Sequence, residues 1–149
     1  MITGTRSALN VRLLPAGHAY DYEYFRARLA DTTMLNKSVA VCLFRAPLLA
    51  VPVGGARRGG YMSLELVTLA LEVRSLLDAR SGFPNLRVRW SPYRDTCHVV
   101  EWGAESPMWD DAARGRFYGY SETAIDAYLR EHAPPSLASA YAFPSTAAS

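Results

Sequence analysis

The segment with the clearest chemical potential is Val51-Pro-Val-Gly-Gly-Ala-Arg-Arg-Gly-Gly-Tyr-Met-Ser-Leu64, where a glycine loop joins an apolar run to a helical pattern. Glycines let backbone amides approach a phosphate or carboxylate, and a helix start adds unpaired N–H groups and partial positive charge. Arg57 and Arg58 add forked donors. The expected anion site is Gly55, Arg57, Arg58, Gly59, Gly60 and Ser63. Its spacing fits neither nucleotide-binding pattern: Gly60 stands where G-x-x-x-x-G-K-[ST] needs lysine, and no Gly-x-Gly is present for G-x-G-x-x-G. The plain alternative is a surface loop, formed on the turn propensity of glycine alone.

A second set of residues suits recognition rather than reaction. Trp109 lies in the acidic stretch from Glu105 to Arg114, Tyr118 follows it, and Tyr93 and Arg94 lie in a turn. Aromatic side chains in loops serve as binding anchors, so Trp109, Tyr118, Tyr93 and Arg94 are the expected contacts with a protein partner or a second copy of the chain. Nucleic acid is an alternative partner, through Arg87, Arg89, Trp90, Tyr93 and Arg94 together with the Arg57-Arg58 pair. A net charge of only +2 weakens it, because the salt-dependent part of such binding scales with the phosphates neutralised. Charge is also unevenly spread. Met1 to Trp90 holds twelve basic and six acidic residues, and Ser91 to Ser149 holds four basic and eight acidic, a split that can pair with itself across the fold.

Support for catalysis is thin. Cys97 and His98 are neighbours in a strand pattern and so point to opposite faces; Cys42 with His98 is a possible dyad that nothing in the sequence requires. No G-x-S-x-G occurs. The carboxylates Glu101, Glu105, Asp110 and Asp111 read as a solvated loop, and the His and Cys residues lack paired ligand spacing, so no metal and no cofactor is expected. An enzyme acting on a phosphorylated or other anionic small molecule remains the third functional class, through the glycine loop.

The elements that must position these residues follow from periodicity. A chain of 149 residues fits one domain, expected over 20–133, with a loosely ordered lead-in at 1–19 and a disordered Ala-rich tail at 134–149. Asp21 can cap a short helix with Tyr22, Phe25, Arg26 and Leu29 on one face. Ser38 to Arg45 reads as a strand covered on both faces, and Leu48 to Val53 as a strand at a sheet edge, since Pro52 has no amide to donate. Ser63 is the expected N-cap of the main helix, whose Leu66, Leu69, Ala70, Val73, Leu76 and Leu77 recur at helical spacing up to Gly82.

Leu86 to Trp90 and Cys97 to Trp102 alternate as two strands of a hairpin around Pro92-Tyr-Arg-Asp95. Setting Val88 against Val100 places Trp90 opposite His98, Leu86 opposite Trp102 and Arg87 opposite Glu101, which gives an apolar ladder on one face and an ion pair on the other. The register shifted by one residue would set Leu86 against Glu101 and is rejected. Arg116 to Tyr120 is a candidate fifth strand, and Ser121 caps a last helix that Pro134-Pro135 closes. The fold class is therefore α+β: a single domain with an antiparallel sheet of four to five strands packed against two or three helices. From Ser63 onward the order helix, strand, strand, strand, helix resembles the double-stranded RNA-binding domain in topology, though the last helix is acidic where that domain carries lysines.

Neither of the longest apolar runs, Ser38 to Val53 and Leu64 to Leu77, is an uninterrupted membrane-spanning length, and Val11 to Leu14 is too short for a secretion signal. A cytoplasmic protein with two reduced thiols is expected. The segments Arg45-Ala-Pro-Leu-Leu-Ala-Val-Pro-Val-Gly-Gly, Arg87-Val-Arg-Trp-Ser-Pro-Tyr-Arg-Asp-Thr-Cys-His-Val-Val-Glu-Trp-Gly and Gly115-Arg-Phe-Tyr-Gly-Tyr-Ser-Glu resemble a family of small actinobacterial proteins of unknown function. That resemblance covers Asp21 to Arg130 and implies one domain, with no activity or site attached. The leading expectation is a non-catalytic binding or accessory protein, regulatory in character.

Overall fold

The computed structural model describes residues 11–43, 46–91 and 97–132. Among the described residues, six strands and four α-helices follow one another: β1 (Arg12–Pro15), α1 (Tyr22–Arg28), β2 (Val39–Cys42), β3 (Pro47–Ala50), β4 (Gly59–Leu64), α2 (Val67–Asp78), β5 (Arg87–Arg89), β6 (His98–Gly103), α3 (Asp111–Phe117) and α4 (Glu122–His132). Short 3-10 turns at Ala16–His18 and Thr32–Lys37 link the first elements. The α+β class stands, but the strands form two antiparallel sheets of three, ordered β1-β2-β3 and β4-β6-β5, where one larger sheet was expected.

The first sheet is covered on both faces, as the near-continuous apolar run of β2 requires. Val39 and Val41 face one cluster with Ala50, while Ala40 faces another with Leu49 and Val51. β1 pairs with β2 along its whole length and Val11 before it is buried, so the segment taken as a lead-in supplies an edge strand. β3 is the other edge, as expected. Pro52 lies beyond its end, fully buried, and Val53 N–H there donates to the Gly82 carbonyl at 2.8 Å.

The second sheet brings the largest correction. Gly59 to Leu64, read as loop and helix cap, is strand β4, paired with β6 from Gly59↔Gly103 to Leu64↔His98. Met62 and Leu64 point inward while Tyr61 and Ser63 point out, the period-2 pattern of a half-covered strand. Ser63 therefore caps nothing. α2 begins later, with Leu66 at its N-cap and no side-chain cap bond, because the chain is still extended at Ser63. Leu66 is exposed, whereas Leu69, Ala70, Val73, Leu76 and Leu77 form the buried stripe that the periodicity gives.

β5 and β6 adopt the expected register, with Arg87↔Glu101 and Val88↔Val100 paired. Arg87 Nε and Arg89 Nη2 reach Glu101 at 3.3 and 3.0 Å on the wet face. The rings of Trp90 and His98 meet edge to face at 5.9 Å, although Trp90, past the end of the ladder, is mostly exposed. The turn at Pro92–Asp95 and the 134–149 tail fall outside the described residues, as do Tyr93 and Arg94.

Trp102 joins the two sheets. It is 1% exposed, and its Nε1 donates to the Val51 carbonyl at 3.0 Å. Its ring lies against Gly60, where an added Cβ would sit 2.6 Å from the indole, so β4 needs glycine at that position. Gly103, at φ +84°, turns the chain out of β6 in a conformation that L side chains avoid. Residues of both sheets and of α2 thus share one interior, including Val39, Val41, Met62, Val73, Leu77, Val100 and Trp102.

The candidate fifth strand is replaced by helix α3, which runs to Phe117; only Tyr120 makes a bridge, to Leu29. Asp110 accounts for this, accepting from the N–H groups of Ala112 and Ala113 at 2.9 and 3.4 Å and so nucleating the helix. With α3 in place of a third strand, the topological likeness to the double-stranded RNA-binding domain lapses. Ser121 does cap α4, accepting from Ala124 N–H at 3.1 Å.

Candidate functional site

Arg57 is placed by a tight turn. Gly54 and Arg57 exchange backbone hydrogen bonds of 3.0 and 2.9 Å, which folds the chain back on itself and aims the Arg57 side chain inward. Only 5% of the residue is exposed. Its Nε donates to the Val51 carbonyl at 3.3 Å and its Nη1 to the Tyr118 carbonyl at 2.8 Å, while the guanidinium lies 5.8 and 5.7 Å from the ring centres of Phe25 and Tyr118. Dipoles and ring faces thus surround this charge. Among the described residues the four ion pairs belong to Arg26, Arg87, Arg89 and Arg116, and none to Arg57.

Above Arg57 opens a cleft walled by tyrosines. A cavity of about 400 Å³ is lined by Arg57, Ser63, Leu48 and Leu49, and one of about 160 Å³ beside it by Arg28, Arg114 and Tyr128; Tyr24, Tyr61, Tyr118 and Tyr120 line both. A groove of about 390 Å³ continues from Tyr61 and Tyr118 past Arg114 to Pro107 and Met108. The tyrosine walls come from three parts of the chain: α1 gives Tyr24, the exposed face of β4 gives Tyr61 with Ser63 beside it, and the α3–α4 corner gives Tyr118 and Tyr120. The Tyr61 and Tyr118 rings are tilted against each other at 5.5 Å.

Enclosure sets the electrostatics. Burial lowers the Arg57 pKa, opposed by Tyr120 first and then Tyr118 and Tyr61. Burial pushes the Tyr120 phenol up to about 12, with Arg57 pulling it back, and it raises Tyr61 as well. Asp21, on the cavity wall, accepts from the Leu49 N–H at 2.7 Å; burial raises its pKa against that bond.

Of the residues expected to bind an anion, the structure brings Arg57 and Ser63 to the cleft. Gly55 and Arg58 are exposed outside its lining, and Gly59 and Gly60 are buried within β4 against Phe117 and Trp102. Of the expected partner contacts, Tyr118 stands at the centre of the cleft and Trp109 is 95% exposed next to Met108, 78% exposed. Tyr24, Tyr61, Tyr120, Arg28 and Arg114 were not singled out by sequence reasoning. The alternation Tyr61-Met-Ser-Leu64 was the signal for one of them, since it turns Tyr61 outward on the same face as Ser63. Cys42 and His98 belong to different sheets, and His98 Nδ1 accepts from Ser91 N–H at 3.1 Å.

A family model matches residues 13–147, spanning both sheets and every wall of the cleft. The chain belongs to DUF6302, a family of unknown function. Membership therefore extends beyond the Asp21 to Arg130 span of the resemblance at both ends. Comparison with curated proteins and with solved structures returns no match. Among the described residues no helix is long and apolar enough to cross a membrane.

Proposed function

We propose that this protein is a non-catalytic binding or accessory protein whose contact face, for a protein partner or a second copy of the chain, is the groove from Tyr61 and Tyr118 to Met108 with Trp109 at its end. The observation that carries this reading is the 95% exposure of Trp109 beside an exposed Met108. Large apolar side chains left in water forgo burial worth about 2 kcal/mol each, and aromatic anchors dominate protein interfaces. Trp109 directly precedes Asp110, whose side chain caps α3 by accepting from Ala112 and Ala113 N–H, so the exposed pair lies at the capped start of that helix.

Nucleic acid is less well supported, since Arg87 and Arg89 share the Glu101 carboxylate, which offsets part of the positive charge on that face. A cytoplasmic setting belongs to the same reading, in keeping with the free thiols of Cys42 and Cys97. Light scattering on protein purified from its native cells at low salt tests the proposal. The expected mass exceeds the 16.4 kDa of one chain and falls with Trp109→Ala. A monodisperse species at the chain mass, with nothing co-purifying, contradicts it.

A further inference from the structure

Arg57 poses a problem of charge that the protein alone leaves open. Moving a guanidinium out of water costs several kcal/mol unless an opposite charge or good hydrogen bonds compensate it. Here every buried side-chain polar atom among the described residues has a partner, so the hydrogen bonds are satisfied. The charge is not. Its partners are two carbonyls and tyrosine side chains, and the rim arginines Arg28 and Arg114 likewise take part in no ion pair among the described residues. Three cations therefore border one tyrosine-walled cleft. The carboxylates on its walls are Asp21, which is bonded to the Leu49 amide, and Asp111 at the start of α3.

The walls narrow the chemistry further. Phenol rings offer flat apolar faces together with hydroxyls that donate or accept, so they suit a ring better than an alkyl chain. At about 400 Å³ with a side chamber of about 160 Å³, the space matches a ligand of one or two rings. We infer that the cleft is a binding site for a small ring-bearing anion, an aromatic carboxylate or an aryl phosphate, whose charge pairs with Arg57 and whose ring lies among Tyr24, Tyr61 and Tyr118. Trp109 does not line this cleft, although Tyr61 and Tyr118 wall both the cleft and the groove that leads to Met108. The low-dielectric floor makes the ion pair stronger than the same pair at the surface, and the tyrosines exclude water from it.

Calorimetric titration of the full chain with benzoate, phenyl phosphate, benzyl alcohol and inorganic phosphate decides the matter. At least one aryl anion should bind with a dissociation constant of about 1 mM or tighter and raise the melting temperature in proportion to occupancy. The tighter of the two assigns the anion. Neutral benzyl alcohol and ringless phosphate should each bind at least tenfold more weakly. Arg57→Gln should abolish binding; because Arg57 also ties Val51 to Tyr118, Tyr61→Ala and Arg114→Gln serve where that variant fails to fold, each with an expected tenfold loss. Arg74→Gln, on the exposed side of α2 and outside the cleft lining, should bind as the wild type does. Absence of binding by both aryl anions, equal binding of benzyl alcohol, or unchanged affinity in both Tyr61→Ala and Arg114→Gln would overturn the inference.

Discussion

Tyr120 and Arg57 perturb each other through a shared enclosure. Burial raises the phenol to about 12 and lowers the guanidinium, while each partner's charge opposes the other's shift. A guanidinium is not deprotonated in proteins and a phenol raised to about 12 is neutral at neutral pH, so the cleft floor carries positive charge beside neutral hydroxyls. The sign of the linkage follows from the raised phenol: the folded chain holds a proton that the unfolded chain releases near pH 10. The stability this contributes is fully present below about pH 10 and is lost as pH rises through about 12. Near-ultraviolet titration should show one tyrosine ionising last, and Tyr120→Phe should remove that step. A single transition near pH 10 for all nine tyrosines of the folded protein would contradict the enclosure.

At the level of elements, Asp21 illustrates how a strand edge is closed. The outer edge of β3 would offer its amides to any passing strand, but Asp21 Oδ1 accepts from Leu49 N–H at 2.7 Å and Tyr20 N–H donates to the Pro47 carbonyl at 2.7 Å. Removing the acceptor leaves an orphaned amide, so Asp21→Ala should cost about 1–3 kcal/mol in urea unfolding. Asp21→Asn keeps the acceptor and sheds a charge whose ionisation is disfavoured by burial; its cost should be clearly smaller. Equal losses in the two variants would show that the edge bond contributes nothing.

Asp21 was legible as a helix cap, yet it makes no cap bond to α1, because a distant strand competes for the same oxygen. The β5–β6 register, the buried stripe of α2 and the cap at Ser121 were all legible, since each rests on local alternation or spacing. β4 was not: Ser63 carries both a cap signal and a place in the Tyr61-Met-Ser-Leu64 alternation, and pairing with β6 decides between them. The cleft was legible only through Arg57, Ser63 and Tyr118, because its walls come from elements far apart in sequence that meet only in the folded chain.

For the molecule as a whole, one interior carries both sheets. Leu77, fully buried, lies in the cluster that contains Val41 of the first sheet and Trp102 of the second. Leu77→Ala should therefore cost about 2–5 kcal/mol, and far- and near-ultraviolet dichroism should still report a single coincident transition. Two separated transitions would mean that the sheets are independent units. On this common scaffold the proposed contact groove and the proposed anion cleft are adjacent, sharing Tyr61 and Tyr118 as walls.

The most direct test of the proposed contact face is hydrogen exchange on the associated species it predicts, compared with the Trp109→Ala protein. Amides of 59–64 and 105–120 should exchange more slowly in the heavier species, and the protection should vanish in the variant. Unchanged exchange in those segments, or protection confined to the β1 side of the first sheet, would contradict the account.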